Sequence, residues 1–327
     1  MRIQVLGLCR FSLLVQGDFQ TTGEDLDRNR AILYDPARLE RRMRWFETLC
    51  VPSLAAQGDP DFTLIVATGT DLPEPWIGRL RACAQAVPQI RIEQFDPGRH
   101  AALCRQALAR HADPLADIVA QFRMDDDDAV ARDYVQRIRE DHALAAPLAG
   151  PHHPVVINYT SGMVVELKQG RLHLHAEKAQ NWGLAQTFYF PGGEVRSLMN
   201  YRHDKVWATA PTIAIPGRIM WIRGHHDVND SRGHLIGNNR LPTDEAELTR
   251  MLRRRFGLNP AAVRAALTLP LDQPLPVRDP QEADLTTPKP QAPKPRAHNP
   301  VAPDSLTPAS QTPDRQISDP QAPDPQR

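Results

Sequence analysis

The sequence lacks any long apolar run, which argues against a helix that crosses a membrane. None of its 327 residues lies in a stretch approaching the ~20 apolar residues that such a helix needs. The first ten residues are largely apolar, but Gln4 and Arg10 interrupt them and no small-residue cleavage site follows. We therefore expect a buried first β-strand rather than a signal peptide. A cytoplasmic protein is expected, and peripheral association with the inner membrane stays open.

The sequence also lacks an excess of basic or of acidic residues, and it contains few cysteines. Lys+Arg and Asp+Glu both number 39, so no overall field would attract nucleic acid, and we expect no nucleic-acid partner. The four cysteines are scattered without metal-binding spacing, which indicates free buried thiols in a reducing compartment. The hydrophobic fraction of 41% is enough for a buried core.

The C-terminal segment lacks aromatic residues, glycine and cysteine. Residues 271–327 contain 14 of the 31 prolines. Such a composition buries too little apolar area to offset the entropy of ordering the chain. We therefore predict a disordered, proline-rich tail over residues 269–327.

The first half alternates helix and strand signals. Asp35 and Pro36 predict a helix start, because Asp is a good cap and Pro suits the first helical position. Residues 61–67 and 90–95 are predicted strands, and residues 101–120 a helix with an interruption at Pro114. A short strand is predicted at 121–124. This alternation indicates βαβ units and a mainly parallel sheet.

The second half is richer in strand signals. We predict strands at 154–159, 187–190 and 219–222, a hairpin of 163–168 and 171–176 about Gln169-Gly170, and closing helices at 244–256 and 260–267. An α/β half at 1–150 followed by a strand-rich half at 151–268 suits two ligand-binding halves of one domain.

Four consecutive aspartates, Asp125 to Asp128, follow the strand predicted at 121–124. Their carboxylates repel one another unless a cation lies among them. Mg²⁺ and Mn²⁺ prefer carboxylate oxygens and share their coordination shell with phosphates. Because alternate residues of a strand face the same side, Asp125 and Asp127 are expected to face one ligand. The alternative is a solvated acidic turn that caps the next helix, but the position after a strand favours a ligand site.

The chain resembles a known family over residues 1–268. Residues 54–57 and 61–66 resemble the helix-to-strand passage of glycosyltransferase family 2 and its GT-A relatives, and 124–130 with 133–135 resemble their Asp-x-Asp-Asp segment. In closer detail the chain is similar to the putative rhamnosyltransferases. The matching stretches are Arg10-Phe11-Ser12, residues 38–42, 52–54 and 123–128, Asn181-Trp182-Gly183 and residues 223–229.

This resemblance implies a GT-A nucleotide-diphospho-sugar transferase fold, with a mainly parallel central sheet and helices on both faces. Residues 1–150 would then be the nucleotide-sugar (donor) binding half and residues 151–268 the acceptor-binding half. It implies that Asp125 lies toward the donor's ribose and the metal, and that Asp127 ligates Mn²⁺ or Mg²⁺ directly. Asp128 would be a second-layer or acceptor-side carboxylate. Thr68 stands where many relatives carry an aspartate that meets the nucleotide base. The donor-binding set is Arg10, Thr68, Arg123, Asp125, Arg223 and Arg232.

A second dense polar cluster spans residues 221–232. GT-A enzymes often complete the metal shell with a histidine from the C-terminal half, and adjacent histidines of an extended segment face opposite sides. We assign His226 rather than His225 to the metal. Arg223 and Arg232 would neutralise diphosphate charge. The alternative is a polar loop whose histidines satisfy backbone carbonyls.

An inverting transfer needs a carboxylate that accepts the proton of the acceptor hydroxyl. Asp204 and Asp227 are candidates, with Asp128 on the acceptor side. Asp204 is open to a second interpretation, an ion pair with Lys205 or Arg202 at the surface. Trp182 and Trp207 are candidates for stacking on a sugar face or for the core.

The sequence therefore predicts a metal-dependent, inverting glycosyltransferase. It would move a hexosyl or deoxyhexosyl unit, such as rhamnosyl, from a nucleotide diphosphate to a glycan or lipid-linked acceptor. Two alternatives stay open. One is a metal-dependent phosphohydrolase or nucleotidyltransferase that uses the same aspartates. The other is a non-catalytic binding module whose proline-rich tail is the functional part.

Overall fold

The computed structural model describes residues 1–16, 25–194, 196–226, 229 and 239–273. Two of the residues singled out above, Asp227 and Arg232, lie outside this set. Residues 274–327, which make up most of the predicted tail, also lie outside this set.

Strands and helices alternate along the described chain. The strands are β1 (Ile3–Arg10), β2 (Val15–Gln16), β3 (Thr63–Gly69), β4 (Ile90–Phe95), β5 (Gly98–Arg99), β6 (Ile118–Asp125), β7 (Ala129–Val130), β8 (Val155–Tyr159), β9 (Ser161–Lys168), β10 (Arg171–Lys178), β11 (Gln186–Pro191), β12 (Thr212–Ile215), β13 (Trp221–His225) and β14 (Arg240–Leu241). The α-helices are α1 (Leu26–Leu33), α2 (Pro36–Trp45), α3 (Val51–Ala55), α4 (Trp76–Ala86), α5 (His100–His111), α6 (Tyr134–Ala145), α7 (Glu245–Phe256) and α8 (Pro260–Thr268). A π-helical turn, Phe46–Cys50, joins α2 to α3, and 3₁₀ turns occupy Ala146–Leu148, Leu198–Asn200 and His203–Ala208.

A seven-stranded sheet forms the centre of the described residues, in the order β12-β8-β11-β6-β1-β3-β4. β4, β3, β1 and β6 are parallel neighbours, and β12 is parallel to β8. Only β11 runs antiparallel to its neighbours within this sheet. The predicted fold class, a mainly parallel α/β sheet followed by a strand-rich part, is confirmed.

A five-stranded sheet, in the order β14-β10-β9-β13-β7, contains the predicted hairpin of β9 and β10. At its edge β7 pairs antiparallel with β13. β7 begins directly after the aspartate run, whereas β6 ends on its first aspartate. The run therefore connects the two sheets, and β13 is brought alongside it.

Buried side chains form two clusters on opposite faces of the central sheet. One contains Cys9, Val66 and Phe122 together with the apolar faces of α2, α4, α6 and α8. The other contains Leu8 and Ala67 with Cys104 and Leu108 of α5. Helices thus cover both faces, as parallel strands with two apolar faces require.

Several local predictions hold. Asp35 caps α2 by accepting from the Arg38 N–H, Asn259 caps α8, and Gly257 ends α7 with a left-handed φ of 70°. The helix predicted over 101–120 is wrong beyond His111, because the chain turns near Pro114 and enters β6 at Ile118. Among the described residues, no helix combines the length and the apolar character needed to span a bilayer.

The segment after α8 is held by one arginine. The side chain of Arg44 is only 3% exposed. Its guanidinium donates to the backbone carbonyls of Leu269, Pro270, Leu271 and Gln273, at 2.5–3.1 Å. A single buried charge from α2 therefore fixes the stretch that leads into the tail.

Candidate active site

The candidate site lies at the carboxyl ends of β1 and β6, where the strand order reverses. From β1 the chain passes to β3 on one side, and from α5 it enters β6 on the other. Such a switch point opens the crevice in which α/β proteins bind ligands. Arg10 and Asp125, the last residues of the two strands, lie side by side in the sheet register.

Three carboxylates converge here. Asp125, Asp127 and Asp128 each place one carboxylate oxygen within 4.8 Å of the others. Alternation predicted the meeting of Asp125 and Asp127. Asp128 joins them because the chain turns at residues 126–127 before β7 begins, so the regular alternation ends.

Asp126 faces away from this group. Both of its oxygens accept hydrogen bonds from Arg42 of α2, at 2.8 Å from Nε and 2.5 Å from Nη2. The two side chains are 0% and 8% exposed. A two-bond pair of this kind has a fixed geometry, so it orients the backbone of the aspartate run.

Asp127 is tied to the segment after β13. Its Oδ2 lies 3.3 Å from Nε2 of His226 and accepts from Asn229 Nδ2 at 2.5 Å. The His226 ring packs against Trp45 in a tilted arrangement, with ring centroids 4.9 Å apart and an angle of 36° between the ring planes. A Cβ on Gly224 would overlap the Asp127 carbonyl, so only glycine lets β13 approach this closely.

Asp128 is buried, and only one of its two carboxyl oxygens is hydrogen-bonded among the described residues. Oδ2 accepts from the Asp125 N–H at 3.0 Å, whereas Oδ1 has no hydrogen-bond partner among the described residues. Burial and the neighbouring Asp127 raise its pKa well above the ordinary value. An orphaned oxygen beside two further carboxylates is the donor set that a hard divalent cation takes, so the residues present fit Mg²⁺ or Mn²⁺.

Arginines surround the carboxylates. Arg10 Nη2 donates to Asp125 Oδ1 at 3.0 Å. Burial acts to raise the pKa of Asp125, but Arg10, Arg223 and Arg123 outweigh it and hold that pKa below its ordinary range. For Arg223, burial opposes the charge, yet Asp128, Asp125 and Asp127 outweigh it and raise the pKa. Cationic and anionic groups are thus both present at one sheet edge, as a metal–diphosphate ligand requires.

Two histidines were missed by the sequence analysis. His100, the first residue of α5, accepts through Nε2 from Arg10 Nη1 at 3.2 Å. Burial and Arg10 lower its pKa to about 4. Burial and then Arg123 lower the pKa of His203, in the last 3₁₀ turn, to about 4. Isolated histidines carry no local pattern, and only the fold reveals their position beside the arginines.

Two further predicted site residues are Thr68 and Asp204. Thr68 is buried with its Oγ1 unpartnered among the described residues, but strand alternation places its side chain with Val66, on the face opposite Ala67 and Arg10. The structure therefore does not bring the Thr68 side chain to the arginines. Asp204 accepts from Arg202 at 2.8 Å, and this pairing lowers its pKa. Asp204 thus forms the surface ion pair that was the second interpretation.

A carboxylate triad and surrounding arginines thus lie at the switch point of a mainly parallel α/β sheet. The profile of one family, described as "Putative rhamnosyl transferase", matches residues 4–238. This is 235 of the 327 residues. The chain therefore belongs to the putative rhamnosyl transferase family.

Solved structures of glycosyltransferases are similar at low identity. S. aureus TarS 1–349 is 12% identical, over 68% of this chain and 60% of that one, with a TM-score of 0.36. Its complex with UDP-GlcNAc is 13% identical, over 82% and 71%, with a TM-score of 0.36. The mannosyltransferase PcManGT from Pyrobaculum calidifontis, in complex with GDP-Man and Mn²⁺, is 15% identical, over 68% and 57%, with a TM-score of 0.32. In the first of these comparisons the chain spans three fifths of the length of TarS 1–349. No curated protein matches the chain.

Proposed function

We propose that this protein is a metal-dependent glycosyltransferase that uses a nucleotide-diphosphate sugar as donor. It transfers a hexosyl or deoxyhexosyl unit, with rhamnosyl favoured by the family description, to a hydroxyl of a glycan or lipid-linked acceptor. The observation that carries the proposal is the convergence of Asp125, Asp127 and Asp128 beside Arg10 at the switch point of the sheet.

The carboxylates would hold Mn²⁺ or Mg²⁺, and the close contact of His226 with Asp127 makes His226 the candidate for a further ligand. When bound, the ion would supply stabilisation of the charge that develops on the leaving diphosphate. The support for this assignment is the unpartnered Oδ1 of Asp128, which lacks any other source of positive charge at hydrogen-bond distance among the described residues.

The arginines would bind the diphosphate. Arg10 donates to Asp125, and Arg223 directly precedes Gly224, whose backbone packs against Asp127. Guanidinium groups match phosphate oxygens with paired hydrogen bonds. Arg123 also lowers the pKa of Asp125. Nε2 of His100 accepts a hydrogen bond from Nη1 of Arg10 and so helps to hold that side chain.

The acceptor hydroxyl needs a proton acceptor on the side of the sugar opposite the leaving group, if the transfer inverts. Asp204 stays a candidate because its exposed carboxylate is on the same 3₁₀ turn as His203. Asp128 is the buried alternative. Asp204→Asn decides between them, because loss of the base lowers kcat, whereas Asp128→Asn would also remove a proposed metal ligand. Full kcat in Asp204→Asn would favour Asp128.

The decisive experiment compares Asp127→Asn and Asp128→Asn with Asp61→Asn. Asp61 makes an ion pair with Arg139 but is 90% exposed, so its replacement controls for the same chemical change at the surface. We expect nucleotide-sugar turnover in Mn²⁺ to fall about 100-fold or more in the first two variants and to persist in the third.

The products discriminate the remaining alternatives. Release of a nucleoside diphosphate supports sugar transfer, whereas a nucleoside monophosphate identifies a phosphohydrolase or nucleotidyltransferase. Full turnover in EDTA, or full turnover by Asp127→Asn and Asp128→Asn, contradicts the proposal.

A further inference from the structure

Residues 181–185, here named the 181–185 loop, have an unusual backbone. Asn181 and Ala185 have positive φ values of 60° and 48°, and Gly183 between them has 84°. The left-handed region disfavours any residue with a Cβ, although asparagine tolerates it better than alanine. Strained residues persist where the surrounding structure enforces them, and they cluster at functional sites.

The 181–185 loop is fixed at both ends by the end of β8. The Ala179 N–H donates to the Thr160 carbonyl at 2.8 Å, and the Tyr159 N–H donates to the Ala185 carbonyl at 3.1 Å. The Gln186 amide donates to Asn181 Oδ1 at 3.1 Å. These bonds hold the strained conformation in place.

Two site arginines contact this loop. The guanidinium carbon of Arg223 lies 5.5 Å from the centre of the Trp182 ring, which in turn packs on Trp221 at 5.5 Å. A Cβ on Gly183 would lie 2.6 Å from Nη2 and 2.7 Å from Nε of Arg123. The backbone at Gly183 therefore lies against the Arg123 guanidinium, and a side chain there would displace it.

We propose that the 181–185 loop positions these two arginines for the donor's diphosphate. Trp182 acts through Arg223, and Gly183 acts through Arg123, so both are positioning residues. The inference rests on the proposed function, because it needs a diphosphate at the switch point. Guanidinium groups that are already held in place lose less side-chain freedom when they bind phosphate oxygens, so affinity rises.

The first test compares Gly183→Ala with Gly193→Ala. Gly193 also has a left-handed φ, 75°, but a Cβ there meets nothing within 4 Å. Both variants carry the same kind of backbone strain, and only the first displaces an arginine. With UDP, GDP, ADP, CDP and dTDP, each in Mn²⁺, we expect calorimetry to show about ten-fold weaker binding of the preferred nucleotide to Gly183→Ala. Gly193→Ala should bind it like the wild type.

The second test compares Trp182→Phe with Trp182→Leu. Phenylalanine keeps an aromatic face under the Arg223 guanidinium, whereas leucine removes it. We expect Trp182→Phe to bind the nucleotide within about three-fold of wild type, and Trp182→Leu about ten-fold more weakly. Thermal midpoints without ligand, measured for all four variants, separate loss of folding from loss of positioning.

The outcomes separate failure of the proposed function from failure of this inference. If the wild-type chain binds none of the nucleotides with Mn²⁺, the proposed function fails and this inference fails with it. If the wild type binds and folded Gly183→Ala and Trp182→Leu bind equally well, the inference alone is overturned. If Gly183→Ala does not fold, the Trp182 pair decides, and equal weakening by phenylalanine and leucine overturns the role of the aromatic face.

Discussion

Asp126 differs from its three neighbours because its charge is balanced from within the protein. Arg42 reaches both of its oxygens from α2, and almost no solvent reaches either side chain. The other three carboxylates have no comparable two-bond partner among the described residues and face the crevice. One residue of the run thus anchors the backbone, and the other three present oxygens to a ligand.

Removal of Arg42 tests this anchoring role. Arg42→Ala would leave a buried carboxylate unpaired, so we expect the free energy of unfolding to fall by about 3–5 kcal/mol. Arg250→Ala, which breaks an exposed pair with Glu247, should cost under ~1 kcal/mol. Urea denaturation of both variants measures the difference. Equal losses in the two variants would show that the buried pair is no more important than a surface pair.

His100 should make the stability depend on pH. Its pKa in the folded protein is about 4, because it is buried beside Arg10, against ~6.5 for an ordinary histidine. Between these values the unfolded chain binds more protons, so the free energy of unfolding falls as the pH is lowered from 6.5 to 4.

His100→Gln keeps an acceptor for Arg10 but does not titrate. Its stability should fall less over this pH range than that of the wild type, by about 1–3 kcal/mol. Urea denaturation at pH 7, 6, 5 and 4.5 checks the difference. Since His203 is present in both proteins, parallel curves would mean that His100 is not the group responsible.

At the scale of single residues, the sequence predicts some members of the site and misses others. Asp125 and Asp127 are recognisable because the run follows a strand and side chains alternate. The inclusion of Asp128 depends on a turn whose geometry no local pattern specifies. His100 and His203 are close to the arginines only through tertiary folding, and the side chain of Thr68 is on the far face because of its strand parity.

At the scale of elements, capping signals are reliable and apolar runs are ambiguous. Asp35, Asn259 and Gly257 mark helix ends through bonds or backbone angles that depend on the residue itself. Pro114 can break a helix, but the stretch from Leu115 to Ala120 carries no capping signal, and its alanines fit either helix or strand. The π-helical turn Phe46–Cys50 could not be predicted from the sequence either, because its apolar residues have the spacing of an ordinary helix.

The hairpin turn between β9 and β10 offers a stabilising substitution. Gln169 and Gly170 have φ values of 51° and 69°, as a two-residue turn of the primed type needs. Asparagine tolerates the left-handed region better than glutamine, so Gln169→Asn should raise the free energy of unfolding by about 0.5 kcal/mol.

The same glutamine-to-asparagine change in a helix should lower the free energy of unfolding. Gln136→Asn replaces an exposed residue of α6, where asparagine has the lower helix propensity and the bond to Glu140 is lost. Thermal unfolding of both variants checks the pair. A lower midpoint for Gln169→Asn than for wild type would contradict the turn assignment.

At the scale of the whole molecule, the position of a C-terminal truncation should decide whether the protein keeps its thermal stability and transfer activity. A chain ending at Asp279 keeps the carbonyls that Arg44 binds, so we expect wild-type thermal stability and transfer activity. A chain ending at Thr268 leaves the buried Arg44 guanidinium short of acceptors and should lose about 2–4 kcal/mol. Calorimetry of the two chains makes the comparison. Loss of activity in the longer one would instead support a functional tail.

The aspartate run joins the two sheets, and this has a consequence for any attempt to exchange parts between related enzymes. Residues before 150 supply β7 to the smaller sheet, and residues after 150 supply β8, β11 and β12 to the larger one. A chimera joined at that position would require new partners for strands in both sheets at once. Donor preference is therefore better transplanted as single side chains around the crevice than as a contiguous half of the polypeptide.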